Sequence, residues 1–409
     1  MTETSKARLI TPEEADIHVS AGQLPFESTE DLEALDDIVG QSRALRALDL
    51  GLGVRHASYN IYIAGVRGMG KERLIHRALK KRVAQEPTPK DWVYVYNFDR
   101  PFEPFAISLK AGHGMELKQH MQRLIEQLRD ELPKAFRQQD FGNEKRRLSK
   151  QYEEKGEAAL RELNEKAKEK NLIIQPAPDG QMLMIPLKDG KPLTQEDFDK
   201  LPEQEQEEIT ERQRKFAEPI REMLSKQREI GRNLHADVLR VERIFAAKII
   251  APFVKSVADT FENSKLSSWL DKVSEHMVDN LAQFQRPASG PEMPGVMMFP
   301  MEDSGMPFFE YQVNVLVDNS ETEGAPVVVE QSPNYKKLFG TIHGHSDPTG
   351  RVITDFTQIQ AGSLLRANGG YLIFNFVEAL TEPLVWKELK RTIQSGSSAR
   401  RPPIKCWAS

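Results

Sequence analysis

Residues 65–72 read GVRGMGKE. This is one residue away from G-x-x-x-x-G-K-[ST], a pattern whose backbone N–H groups converge on phosphate oxygens at the start of a helix. Gly65, Gly68 and Gly70 permit the backbone path, Val66, Arg67 and Met69 lie between them, and Lys71 is placed to reach terminal phosphates. The last position departs from the pattern: Glu72 stands where a Ser or Thr hydroxyl would ligate Mg²⁺. A carboxylate there can take the metal, but it also sets a negative charge beside a polyphosphate. A second chemical position lies in GGYLIFNF, residues 369–376. Phosphoryl-transfer sites need an acid near the metal, at the end of such an apolar run. Here Asn375 holds that position, and Glu378 is the carboxylate three residues on. Glu72, Asn375 and Glu378 are therefore the candidate metal residues, and two altered positions with the same consequence point to a weakened metal site. The competing reading of the glycines is a plain strand-to-helix turn. No residue is assigned a catalytic role.

The elements around these residues make the phosphate reading coherent. NIYIAG (60–65) is a short apolar run with strand composition, and KERLIHRALKKRVAQ (71–85) follows as a helix. DWVYVYNF (91–98) is expected as the next strand of a parallel βαβ unit. Before the loop, 36–54 carries Ala44, Leu45, Leu48 and Leu52 at helical spacing. From about residue 116 the chain becomes charged and amphipathic. The apolar positions Ile209, Phe216, Ile220, Met223, Ile230, Leu234, Val238, Val241 and Phe245 then form a coiled-coil-like stripe. Between the two helical stretches, the apolar runs flanking PDG predict a hairpin over 171–194.

The pattern divides into an N-terminal arm (1–35), the first part of a core (36–115), an inserted helical arm (116–285), the second part of the core (286–394) and a disordered tail (395–409). The second core part opens on a Pro-, Gly- and Met-rich connector. It continues through strands at 311–318, 325–331 and 370–376 to a helix at 382–394. The arm is also readable as a solvated stalk.

Composition removes several function classes. With 409 residues, 39% of them hydrophobic, the chain is long enough for two or three domains. The net charge of −5 gives no bulk electrostatic case for nucleic acid. The single cysteine, Cys406, excludes a disulfide within the chain. The N-terminus lacks the apolar run of a signal peptide, and no stretch has the roughly 18 apolar residues of a membrane span. A soluble cytoplasmic protein is the expectation.

Taken in order, LPF (24–26), IVGQSRALRAL (38–48), YNIYIAGVRGMGK (59–71) and VYVYNF (93–98) form the first half of a specific set. GAPVVVEQSPNYKKLFGTI (324–342), TDFTQIQAGSLLRANGGYL (354–372) and EPLVWKELKR (382–391) complete it. With these the chain resembles the N-terminal, AAA+-like half of Lon-related ATP-dependent serine proteases, over about residues 20–394. The resemblance implies an α/β fold: a P-loop, AAA+-like parallel sheet core with a long helical, coiled-coil-like insertion carrying a β-hairpin tip. It implies ATP or ADP at 65–72, Mg²⁺, a homo-oligomeric hexameric ring, and arms that handle protein substrates. It also implies a Ser–Lys protease domain, which these residues do not include, so peptidase activity is not expected of this chain. Departures at Glu72, at Asn375 and at Leu365, where the family carries His before Arg366, imply weak or no ATP hydrolysis. The compositional break after Gln394 reads as a truncation, a frame change or a natural tail. Two alternatives stay open: a competent Mg-ATPase using Glu72 and Glu378, and a non-enzymatic protein-binding scaffold.

Overall fold

The computed structural model describes residues 9–16, 19–32, 41–54, 59–66, 68, 70–176, 182–188, 191–285, 308–346 and 352–395. The chain is mixed α/β, with small sheets and one very long helix. It divides into two compact units, Met1–Gln85 and Glu86–Ser409.

In the first unit, α1 (Pro12–Ala15) is one turn closed by reciprocal hydrogen bonds between Thr11 and Glu14, a capping box. The longer helices are α2 (Ser42–Gly53) and α3 (Lys71–Val83). Their apolar sides bury Leu48, Leu74 and Leu79. A Cβ at Gly51 would stand 3.0 Å from Ile61 Cδ1, so a glycine there lets residue 61 approach α2. The run 60–65, expected as a strand, is not one: it belongs to no sheet. Strand composition only fits a residue to a pleated surface. Among its described residues the unit holds no second strand to supply the ladder.

The second unit is built on an antiparallel sheet. β1 (Asp91–Val95) lies between β2 (Phe105–Leu109) and β6 (Val313–Val317) and pairs antiparallel with both. This corrects the expected parallel βαβ unit. The chain returns from β1 straight into β2 through the short loop 96–104, whereas a parallel neighbour needs a crossover of about a dozen residues or more. Asp91, fully buried, fixes the start of β1: its carboxylate accepts from Gly114 N and Asn319 N, each at 2.8 Å.

Helices α4 (His113–Arg137), α5 (Gln139–Glu169), α7 (Glu203–Thr260), α8 (Ser264–Asp279) and α9 (Leu281–Gln285) make most of this unit. Side chains alternate across β1. Val93 and Val95 face Leu117 and Met121 of α4, Ile250 of α7 and Leu270 of α8 in one core. Tyr94 faces the other way, toward Leu316, Phe356 and Leu365. Farther out, α5 and α7 pair antiparallel. Tyr152 donates to Asp237 Oδ2 at 2.6 Å, and Leu163 and Ala167 pack with Phe216, Ile220 and Met223. Ile209, Phe216, Ile220 and Met223 of the stripe are buried, whereas Ile230, Leu234, Val238, Val241 and Phe245 are half-buried. With 58 residues, α7 is about 87 Å long. β3 (Leu172–Pro176) and β4 (Met182–Lys188) pair as the expected hairpin. Its PDG lies outside the described residues. β5 (Lys191–Pro192) extends this sheet, and α6 (Gln195–Phe198) leads toward α7.

The remainder comprises β7 (Val327–Glu330), α10 (Tyr335–Phe339), β8 (Gly340–Ile342), β9 (His345–Ser346), β10 (Val352–Ile353), β11 (Ile359–Ala361), α11 (Ser363–Arg366), β12 (Tyr371–Phe374), α12 (Phe376–Thr381) and α13 (Val385–Ser395). Among the described residues the only parallel pairing is β7 with β12, so the expected parallel core sheet is here a two-stranded one. Gly370 enters β12 so close to Pro326 that a Cβ would stand 2.0 Å from its carbonyl oxygen. Leu338, Phe339, Ala379, Val385 and Leu389 form the apolar cluster beside this pair. The connector 286–307 and residues 396–409 lie outside the described residues.

Candidate functional site

The glycine loop ends on α3. Gly68 (φ 86°) and Gly70 (φ 74°) are both left-handed, a conformation that other residues adopt at a cost. Among the described residues nothing stands within 4 Å of the place of a Cβ at either glycine, so backbone conformation, not crowding, explains them. Gly70 is the N-cap of α3: its carbonyl accepts from Leu74 N at 3.0 Å, and it has no side chain to cap the first turn. The first N–H groups of a helix have no acceptor within the helix, so this end retains the donors an anion requires. Lys71 Nζ donates to Gly65 O at 2.6 Å, closing the loop on itself. Glu72 is exposed in the first turn of α3, where a negative charge complements the helix dipole. Its place is thus favourable for the helix and unfavourable for an incoming anion. Val66 is exposed; Arg67 and Met69 lie outside the described residues.

Asn375 follows β12 and caps α12. Its Oδ1 accepts from Val377 N at 3.1 Å and from Glu378 N at 3.5 Å. Its Nδ2 donates to Glu378 Oε1 at 2.7 Å. The structure therefore brings these two sequence-derived metal candidates together, but as partners of each other. A cation taken by Asn375 Oδ1 would have to displace the cap. Among the described residues no group of three or more His, Cys, Asp or Glu side chains is arranged to hold a metal.

The sequence reading missed a third group. Glu330 ends β7 and pairs in register with Phe374, immediately before Asn375. It is only 8% exposed. Oε2 accepts from Ser363 Oγ at 2.5 Å and Oε1 from Ser332 N at 3.1 Å. Arg366 and Lys337 each stand 3.9 Å from the carboxylate, and Arg366 also donates to Ser363 Oγ at 3.0 Å. Burial pushes the Glu330 carboxyl up, but these hydrogen bonds and cations outweigh it and hold the group below the usual carboxylate range. A signal was present: Glu330 is the one charged residue ending an otherwise apolar run, VVVE. Its partners come from the turn after β7, α10 and α11, which periodicity alone does not bring together.

Two family models match the chain. A LonB-like AAA domain covers residues 323–405, and a Lon-like LonC helical domain covers 91–124. The first spans β7, Glu330, Arg366, Asn375 and Glu378. The second begins with β1 and reaches into α4. Together they support a Lon-related protein, and the AAA match suggests nucleotide binding. No curated protein matches the chain. Among the described residues no helix is long and apolar enough to cross a membrane.

Proposed function

We propose that this chain supplies the ATPase-like, substrate-handling half of a Lon-related ATP-dependent protease, assembled as a homo-oligomeric ring. In this reading residues 65–72 attract ATP or ADP through backbone N–H groups and Lys71, hydrolysis is weak or absent, and the helical segment 116–285 acts as an arm toward protein substrates. Peptide-bond cleavage belongs to a Ser–Lys module distinct from these residues. The observation that carries the weak-hydrolysis reading is the Asn375 cap. The side chain at the magnesium position is bonded to its own helix and to Glu378, and Asn lacks the charge an acid would place there. Hydrolysis depends on a metal bridging the terminal phosphates as charge develops. Losing one preorganised electrostatic group commonly costs about 3 kcal/mol, or roughly a hundredfold in rate. Phosphate attraction has no such dependence, because Gly68, Gly70 and Lys71 act without residue 72.

Nucleotide affinity with and without Mg²⁺, together with steady-state turnover, tests this. The expected result is ATP and ADP binding that survives EDTA, falls at least tenfold in Lys71→Ala, and is accompanied by turnover near background. A clear Mg²⁺-dependent rate that disappears in Lys71→Ala would instead establish the competent ATPase. Absence of nucleotide binding would leave the scaffold.

A further inference from the structure

The loop 96–104 is internally braced yet presents an aromatic side chain to water. Asn97 Oδ1 accepts from Asp99 N and Arg100 N at 3.2 Å each, Glu103 N donates to Arg100 O at 2.9 Å, and Arg100 pairs with Glu103 at 3.2 Å. Pro101 and Pro104 stiffen it further. At its tip Phe102 is 96% exposed. A single exposed apolar residue is ordinary. Here, however, the base of the same loop forms one wall of a cleft of about 240 Å³ against the start of α8. Tyr96, Phe98, Phe105 and Trp269 give the cleft an aromatic lining. Trp269 is locked by its Nε1 donating to Tyr96 O at 2.9 Å, and the start of α8 is tied to β2 by Asn263 Nδ2 donating to Ser108 O at 2.8 Å. The walls are therefore preformed.

Charge selects the occupant. Asp99, the one carboxylate of the cleft, is paired with Lys272. Lys265 stands exposed at the rim, in no ion pair among the described residues, with the hydroxyls of Ser264 and Ser268 beside it. The cleft thus has an apolar aromatic interior, an uncompensated cation and two hydroxyls. We infer that it docks an extended segment of a partner protein in which an aromatic or branched apolar side chain precedes a carboxylate, with Phe102 packing beside the segment. The apolar side chain enters between Phe98 and Phe105, and the carboxylate meets Lys265. This inference does not rest on the nucleotide reading, since none of these residues belongs to 65–72 or to the Asn375 junction.

The test uses the full chain and the fluorescein-labelled peptide Gly-Ser-Leu-Phe-Asp-Glu-Gly-Ser, read by anisotropy. Two control peptides replace Asp-Glu by Lys-Lys or Leu-Phe by Ala-Ala. The parent peptide should bind about tenfold more tightly than either control, and more weakly as salt rises. Lys265→Glu should cost about fivefold or more, and Lys265→Arg should retain binding. Ser268→Trp, which fills the cleft, and Phe102→Ala should each weaken binding severalfold. These positions are exposed, and an acidic residue in the first turn of α8 suits the helix dipole, so the variants should fold; unchanged circular dichroism checks this. Equal binding of the three peptides, no binding of any, a preference for the Lys-Lys peptide, or variants that leave affinity unchanged would each overturn the proposal.

Discussion

Two helices in this chain begin in opposite ways. α3 starts at Gly70, which offers no side chain, and α12 starts at Asn375, whose amide oxygen takes two backbone N–H groups. The first start leaves its donors open to an external anion, at the cost of two left-handed residues, Gly68 and Gly70. The second satisfies its donors internally, gains the roughly 1 kcal/mol of a good N-cap, and binds Glu378 as well. In the proposed reading the difference separates a robust function from a fragile one. Phosphate attraction would reside in backbone geometry and need no particular side chain at residue 72. Metal handling would reside in side chains, and here Asn375 and Glu378 are hydrogen-bonded to each other.

The largest effect expected concerns what supports the second start. Glu330 joins the end of β7 to Ser363 and Arg366, beside the register position that precedes Asn375. Glu330→Ala should cost on the order of 2–3 kcal/mol by urea denaturation, because two charge-assisted hydrogen bonds are lost: Ser332 N loses its acceptor, and the fully buried Ser363 hydroxyl keeps only Lys337 O at 3.1 Å. The pH dependence has a definite sign. The folded carboxyl is held below its ordinary value of 4.5, so its contribution is complete above that pH and is lost as pH falls through the folded value. Glu330→Gln should flatten that acid limb. A denaturation midpoint indifferent to Glu330 would separate the junction from this cluster and break the comparison on its α12 side.

Next in size is Gly70→Ala. A residue with a Cβ at φ 74° should destabilise the start of α3 by about 1–2 kcal/mol. If the loop yields instead, calorimetry with ADP in EDTA should record about a tenfold weaker affinity. Unchanged affinity and stability together would mean that the left-handed path is not what presents the donors. Asn375→Ala should then separate the two starts: about 1 kcal/mol of stability lost, with ADP affinity in EDTA unaltered. A parallel fall in affinity would show that the cap and the anion site are coupled.

What the sequence made legible divides along the same line. Local chemistry was readable. The glycines marked a special backbone path, which is left-handed at 68 and 70, the coiled-coil-like stripe announced α7, and apolar runs around PDG announced the β3–β4 pair. Pairing was not. NIYIAG has strand composition, but composition cannot supply a neighbouring strand, and DWVYV looked parallel because FAISL at 105–109 went unrecognised as its return. Asn375 was identified by position, yet its cap on α12 was not foreseen, and its side-chain bond to Glu378 was visible only as a spacing of three. Glu330 escaped because its ligands are scattered between Ser332 and Arg366.

The smallest effect is the most discriminating. Glu72→Ser removes a carboxylate from the first turn of α3 and restores the hydroxyl of the phosphate-loop pattern. For the anion, the loss of like charge at the helix start should raise ADP affinity in EDTA about two- to fivefold, most clearly at low salt. For the helix, the same change removes a favourable charge–dipole contact, so stability should fall slightly while affinity rises. Opposite signs in the two readouts are the signature of an open helix start. For the metal, Glu72→Ser should introduce at most a weak dependence of ATP affinity on Mg²⁺. A strong one would make residue 72 by itself the limiting metal position. If Glu72→Ser instead abolishes a Mg²⁺ dependence already present, Glu72 is itself the metal ligand.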